Sequence, residues 1–329
     1  MVEALRTAVI GCGGAGRNHA RAYAKAADAM LVGVCDLDQA RSDATAHEFG
    51  VPGFTSVEAM LEALRPDLVS VATQEAHHAE PTINALTSGA HVLCEKIMAA
   101  SLADGRRMLE AAAAAGRYLA VNYNYRHMPV FTAINRLLKA GELGEPVMLV
   151  AQVHAFCWHH TLDLVRFLLG EPLSVNAHLD DRPHQRPAFW PCADELLYIP
   201  TRSCSATFTF ANGVSASLSA TLHTPLHEHM IDLSLYGTQA RVVVNRIRPA
   251  DTRGEPAPGP FADTLRSLPE MSLDDSFTAS IHALLTHLQR GDAPPTSGHD
   301  GLATMSLENA VVRSASERHT VNMQLEPTL

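Results

Sequence analysis

Four groups of residues in this 329-residue sequence have types and spacings that do chemistry. Gly11-Cys12-Gly13-Gly14-Ala15-Gly16 has G-x-G-x-x-G spacing, which lets backbone approach a pyrophosphate held at a helix N-terminus. Asp36 follows the last glycine by 36 − 16 = 20 residues, where a carboxylate reaches the hydroxyls of an adenosine ribose. A carboxylate there repels a 2′-phosphate, so NAD is favoured over NADP, with Arg41 tempering the preference. Glu95-Lys96 sets an amine beside a carboxylate, a pair suited to orienting a substrate hydroxyl and moving its proton next to a nicotinamide. The fourth group is histidine, with 18 copies, most of them isolated.

These residues need elements to hold them. Residues 7–122 alternate β-type runs (7–10, 31–35, 68–72, 91–94, 118–122) with helical stretches (15–27, 39–49, 80–88, 102–115). Continuous apolar runs such as VSVA and HVLC predict strands covered on both faces, hence a doubly wound parallel sheet of Rossmann type. Ser101-x-x-Asp104 reads as a capping box, and Gly89 and Gly116 fall where helices should stop. Ligands of such sheets bind outside the carboxyl ends of the strands. Those ends carry the glycine loop, Asp36, Thr73 to His78, Glu95-Lys96 and Asn122 to Arg126.

Beyond residue 122 the rhythm changes to helix 130–139, strand 147–154, helix 160–169 and then mostly strands, an α+β pattern. Apolar residues fill the even positions of 206–210 and 214–222 with Ser or Thr between them. Around Asn212-Gly213 this predicts an antiparallel hairpin with one small-polar face, open to solvent or to another subunit's sheet. The proline-rich stretch 248–271 reads as a loop, and helices over 273–289 and 301–314 follow. The expected division is a dinucleotide-binding domain over 1–122 and a substrate-binding and oligomerisation domain over 123–329.

Composition excludes whole classes of function. With 47% hydrophobic and 18% charged residues the chain is an ordinary folded protein. A formal charge of −10 argues against nucleic acid and acidic membrane as partners. No run of 18 uncharged apolar residues predicts a membrane span, and residues 1–10 lack the apolar core of a secretory signal. Cys12, Cys35, Cys94, Cys157, Cys192 and Cys204 form no C-x-x-C pair and read as reduced core thiols, which makes the cytoplasm the expected compartment. His223, His227 and His229 cluster near a strand entry, and His154, His159 and His160 could approach them. Their spacing matches no compact zinc motif, and no metal is expected.

With these pieces in order, the chain resembles the Gfo/Idh/MocA oxidoreductase family (glucose-fructose oxidoreductase, inositol dehydrogenase, rhizopine catabolism). The stretches that carry the resemblance are GCGGAG with Asp36, ATQEAHHAEPTINALTSGAHVLCEK, NYRHMP, GELGEP and HTLDLVRFLLGEP. It implies NAD(P) in the first domain and a small polyhydroxylated substrate, a sugar, amino sugar or cyclitol, over a C-terminal domain with a large, mainly antiparallel open sheet. Such sheets often pair, implying a homodimer or homotetramer. Hydride would pass between a ring carbinol and the nicotinamide. Lys96 matches the family's catalytic lysine and Glu95 its neighbour near the nicotinamide, with Thr73 and His78 on the cofactor side. His160 matches an acid/base or hydroxyl-binding histidine, and Asp163, one helical turn on, would orient it or cap the pocket.

Three departures bear on the reaction. Ile97 stands where the family's Glu-Lys-Pro has proline, and Gln74-Glu75 replace Pro-Asn after Thr73. Phe156 occupies the position of a catalytic Asp four residues before His160, leaving His159, His160 or a residue of Asn124 to Arg126 to do that proton work; Asn124, Arg126, His159 and Asp163 are the expected substrate contacts, and Lys96 and Asn124 are expected to touch the cofactor as well. The glycine-rich segment that the family places before this helix is shortened to residues 155–159. Two other readings therefore stay open: an enzyme that recycles bound NAD in a lyase, epimerase or glycoside-cleaving cycle, and a non-catalytic NAD-bound sensor.

Overall fold

The computed structural model of the chain describes residues 4–180, 202–223 and 225–323. In the N-terminal part strands and helices alternate: β1 (Leu5–Ile10), α1 (Gly14–Lys25), β2 (Ala29–Cys35), α2 (Gln39–Phe49), β3 (Gly53–Phe54), α3 (Val57–Leu64), β4 (Leu68–Val71), α4 (Ala79–Thr87), β5 (His91–Cys94), α5 (Leu102–Ala115) and β6 (Leu119–Val121). The strands form one parallel sheet in the order β3-β2-β1-β4-β5-β6. The order reverses between β1 and β4, which is where a doubly wound sheet opens a ligand crevice. Every residue of β4 is buried, as its uninterrupted apolar run requires.

Helix ends follow local chemistry. Asp38 caps α2 through the Arg41 amide, Ser56 caps α3 through that of Ala59, and Ser101 caps α5 through that of Asp104. Gly50 and Gly116 close α2 and α5 in the left-handed conformation that glycine adopts without penalty.

The C-terminal part contains α6 (Pro129–Lys139), β7 (Pro146–His154), α7 (Trp158–Leu169), β8 (Ser174–Asp180), β9 (Ser203–Thr209), β10 (Ser215–Thr221), β11 (Ile231–Gly237), β12 (Arg241–Ile247), β13 (Glu255–Pro256), α8 (Ala262–Arg266), α9 (Leu273–Arg290), α10 (Gly298–Glu317) and β14 (Val321–Asn322). Its eight strands run β13-β12-β11-β7-β10-β9-β8-β14, with β7 and β10 parallel and the other pairs antiparallel. The hairpin appears as expected: Ser215 pairs with Thr209, and Cys204, Ala206, Phe208, Ala216, Leu218 and Ala220 point into the core while the Ser/Thr positions face out. The stretch 248–271 is more ordered than its prolines suggest, holding β13, which pairs Pro256 with Val244, and the short α8.

The chain divides into two compact units, one of residues Met1–Asn124 and Phe277–Met305, the other of Tyr125–Ser276 and Ser306–Leu329. Residues 277–305 lie beyond the expected boundary at 122, yet their contacts group them with the parallel sheet of the first unit. Ile281, Leu284 and Leu285 of α9 pack with Val9, Ala20, Tyr23, Val34 and Leu68, and the Val121 amide donates to the Thr296 carbonyl at 3.1 Å along the free side of β6. Covering that edge removes a row of unpaired backbone groups.

The second unit has its own core, of Trp158, Leu162 and Val165 from α7 with Phe131 and Ile134 from α6 and the inward face of the large sheet. Cys12, Cys35, Cys94, Cys157 and Cys204 are free and buried, and Cys192 lies outside the described residues. Among the described residues no helix is long and apolar enough to cross a membrane.

Candidate active site

In the first unit the glycine loop runs from β1 into α1. Gly11 has φ +94°, and a Cβ there would lie 2.4 Å from the Ala72 carbonyl oxygen. At Gly16 a Cβ would lie 1.7 Å from the Gly11 oxygen, so only glycine permits this approach of helix to strand. Gly13 and Gly14 are the opposite case: a Cβ on either would meet nothing within 4 Å. Gly13 caps the 12-residue α1 without a side-chain bond, and no acidic residue sits in the first turn. Ala15 follows within that turn. The helix thus presents bare amides and a positive dipole end to open space, which fits a pyrophosphate.

Asp36 closes the loop from β2. Its Oδ2 accepts from the Cys12 amide at 2.8 Å and its Oδ1 from that of Asp38 at 2.9 Å. Arg41 Nε lies 3.2 Å from Asp38 and 3.7 Å from Asp36, so the cation is drawn toward carboxylates of this rim. Two carboxylates against one exposed guanidinium fit ribose hydroxyls better than a 2′-phosphate.

The ends of β4 and β5 hold the next residues. Thr73 Oγ1 donates to the His77 carbonyl at 3.2 Å, bracing a 3₁₀ turn over Glu75–His77 in the stretch where Gln74-Glu75 replace the family's Pro-Asn. His78 is buried with Nδ1 2.8 Å from the Ile97 carbonyl and Nε2 3.1 Å from that of Thr73. Burial pushes its imidazole below the ordinary value, the two carbonyls opposing in part. His78 thus ties the Thr73 loop to the Lys96 loop. The Lys96–Ile97 peptide is cis.

Glu95 is 6% exposed, with Oε1 taking His19 Nε2 at 2.7 Å and Asn122 Nδ2 at 2.6 Å, and Oε2 taking the Lys96 amide at 3.3 Å. Burial alone would raise its carboxyl; the His19 and Asn122 bonds and the Lys96 charge outweigh it and hold the group below the usual carboxylate range. Asn124, buried at the end of this unit, opens a 3₁₀ turn over Asn124–His127.

In the second unit α7 carries the expected side chains, and all of them are buried. His160 stacks on Tyr125 with ring centroids 3.9 Å apart and planes 8° from parallel, which fixes its ring plane. Asp163 is bound by Arg126, Nε and Nη2 donating to its two oxygens at 2.7 and 2.6 Å. Arg126 also lies over the Phe167 ring, 5.2 Å from its centroid. His159 faces Glu308 of α10 as a buried pair. As substrate contacts, Arg126, His159 and Asp163 would have to leave these partners. Their burial and pairing fit a different task, setting the rotation and position of α7 beneath His160.

His154, at the end of β7, is fully buried and accepts from the Phe156 amide at 3.1 Å. Burial, then the charge of His229, pushes its imidazole from 6.5 down to about 4. The unfolded chain takes up this proton below about pH 6.5 and the folded chain only near 4, so stability present above the unfolded value is lost as pH falls through that window. The gap is worth about 3 kcal/mol. His154→Asn keeps an acceptor for the Phe156 amide and is expected to lose about that much less than the wild type between pH 7 and pH 4 in urea unfolding. Equal losses would refute the assignment. His229 is 3.2 Å from Asp232, His223 and His227 are exposed, and among the described residues no group of three or more His, Cys, Asp or Glu could hold a metal ion.

Sequence reasoning reaches Asn122 and Tyr125 only as part of the stretch Asn122 to Arg126, and does not reach His19 or Ser280. A signal existed for His19, a polar residue three positions after Gly16 on the inward face of α1. None existed for Ser280, 280 − 122 = 158 residues from its partner Asn122.

A parallel sheet with a bare helix end over its switch point, a buried carboxylate bound by the backbone amide of the lysine that follows it, and a second unit built on an open sheet define a nicotinamide-dependent oxidoreductase. The chain belongs to the Gfo/Idh/MocA oxidoreductase family: residues 5–123 match its "Oxidoreductase family, NAD-binding Rossmann fold" and residues 157–323 its "Oxidoreductase family, C-terminal alpha/beta domain". The chain is 28% identical to D-apiose dehydrogenase of Paraburkholderia graminis, covering 98% of this chain and 91% of that protein. It is 25% identical to inositol 2-dehydrogenase of Rhizobium meliloti, covering 97% and 99%. The WlbA dehydrogenase of Bordetella pertussis, solved with NADH and UDP-GlcNAcA, superposes with a TM-score of 0.83 over 98% of this chain and 99% of that one. At 21% identity that likeness is one of fold.

Proposed function

We propose that the chain is an NAD-dependent dehydrogenase or reductase that interconverts a ring carbinol and its ketone on a small polyhydroxylated molecule, a sugar, amino sugar or cyclitol. The observation that carries this reading is the buried Glu95 carboxylate held against the Lys96 amide at the carboxyl end of β5, in the same unit as the glycine cradle. The names of the D-apiose and inositol relatives support the substrate class.

When bound, NAD supplies the hydride acceptor, with adenosine ribose at Asp36 and pyrophosphate at Gly11 to Gly16. Lys96 receives the hydroxyl proton in oxidation and returns it in reduction. His160, its plane set by Tyr125, binds a substrate hydroxyl or exchanges a proton with it, and Asn124 lines the substrate side. Phe156 carries no ionisable group, so the acid-base work falls to Lys96 and His160.

The test is a panel of pentoses, hexoses, amino sugars and cyclitols incubated with NAD+ and, separately, NADP+. Release of NADH stoichiometric with ketone, with NAD+ preferred, is the expected result. Turnover without net NADH would replace this reading by the cofactor-recycling one, and silence across the panel by the sensor.

The same reading includes a homodimer or homotetramer through the large sheet, in the cytoplasm. Supporting it is an outward row of small side chains, Ser217, Thr207 and Asn176, continuous across β10, β9 and β8 with the exposed Val150 of β7. Light scattering that returned a monomer at micromolar concentration would end the oligomer proposal.

A further inference from the structure

A buried chain of hydrogen bonds in the first unit has one direction that satisfies all its donors. Tyr23 Oη lies 2.6 Å from Ser70 Oγ, Ser70 Oγ lies 2.8 Å from His19 Nδ1, and His19 Nε2 lies 2.7 Å from Glu95 Oε1. Tyr23 and His19 are fully buried. Among the described residues, Ser70 is the polar partner of the Tyr23 phenol, so the phenol donates to Ser70. The single Ser70 proton is then turned to His19 Nδ1, and the imidazole carries its own proton on Nε2, toward Glu95. On the other side Ser280 donates to Asn122 Oδ1 at 2.8 Å, which leaves the Asn122 amide nitrogen to donate to Glu95. Reversing the chain would strand the Tyr23 proton. α1, β4, the end of β6 and α9 thus align their donors toward one carboxylate, which His19 and Asn122 reach directly, and the Lys96 amide adds a third donor to it.

We propose that His19 is a positioning residue of the reaction: as the Nε2–H tautomer it fixes the Glu95 carboxylate beside Lys96, and so sets the anion against which Lys96 exchanges its proton. This rests on the role assigned to Lys96 above. The other titratable groups facing Glu95 are Lys96, Cys94 and His78.

His19→Asn offers Ser70 an acceptor but does not reach Glu95, whereas His19→Gln extends an amide donor to it. The first readout is the titration of the Glu95 carboxyl, followed by carbon NMR of the full chain with glutamate labelled at the side-chain carboxyl and assigned through Glu95→Gln. In His19→Asn it is expected to move up by about one pH unit or more, and in His19→Gln to return most of the way. The acidic limb of kcat against pH, measured on a carbinol found by the panel, should shift in the same order. Identical Glu95 titrations in both variants would overturn the wiring. A moved titration with an unmoved kcat limb would overturn the positioning role.

Should wild type and Lys96→Met turn over alike, the functional reading fails on its own, and the titration still decides whether His19 holds Glu95. If His19→Asn does not fold, ring nitrogen NMR of the wild type decides: a bare Nδ1 and protonated Nε2 on His19 support the proposal, and the reverse tautomer ends it.

Discussion

Lys96→Met is expected to lower kcat for carbinol oxidation by roughly 10²–10⁴-fold, the range that one positioned proton-transfer group contributes, while NADH affinity stays nearly unchanged. Methionine keeps the length and apolar stem of lysine and removes the ammonium. The backbone amide that bonds Glu95 is untouched by the change, so Glu95, His19 and Asn122 keep their geometry. Single-turnover measurement of NADH formation separates chemistry from product release, and quenching of NADH fluorescence reports binding. An equal fall in kcat and kcat/KM identifies an interaction made in the transition state. A raised KM with unchanged kcat would reduce Lys96 to a binding residue, and full turnover would remove it from the mechanism.

The second large effect is one of stability. Arg126→Leu is expected to cost about 3–5 kcal/mol in urea unfolding, the usual penalty for leaving one member of a buried ion pair alone. Asp163 is 1% exposed, and its next cation, Arg166, stands 3.9 Å away while engaged by Glu171 at 2.5 Å. Replacing both residues, Arg126→Leu with Asp163→Leu, should recover most of the loss, because an apolar pair of similar volume leaves no orphaned charge. Were Arg126 instead a substrate ligand, the single variant would raise KM and leave the unfolding midpoint in place.

The parallel sheet was legible because its strands are buried on both faces and therefore apolar without interruption, as in Leu68–Val71 and His91–Cys94. The glycine cradle and Asp36 were legible because backbone geometry imposes residue type at fixed spacing. The hairpin was legible from period-two alternation about Asn212-Gly213. The sequence also pointed to Lys96, His160 and Asp163, yet their surroundings were hidden. That Asp163 meets Arg126, 37 residues earlier, and that His159 meets Glu308 are consequences of how helices pack, which no local pattern encodes. The order inside 248–271 escaped for a related reason: Pro256 pairs through its position on an edge strand, a place where missing a backbone donor carries no penalty.

The membership of residues 277–305 in the first unit bears on how the protein is made. A ribosome that has finished residue 124 must add 305 − 124 = 181 more before that unit is whole, which at 5–20 residues per second takes about 10–35 s. During that time the sites of Ile281, Leu284 and Leu285 on the nascent sheet are bare, and β6 is an open edge without Thr296. The nascent chain is therefore expected to expose apolar surface and an open strand edge at this stage, and a gene truncated after codon 124 should yield inclusion bodies rather than a free-standing nucleotide-binding domain.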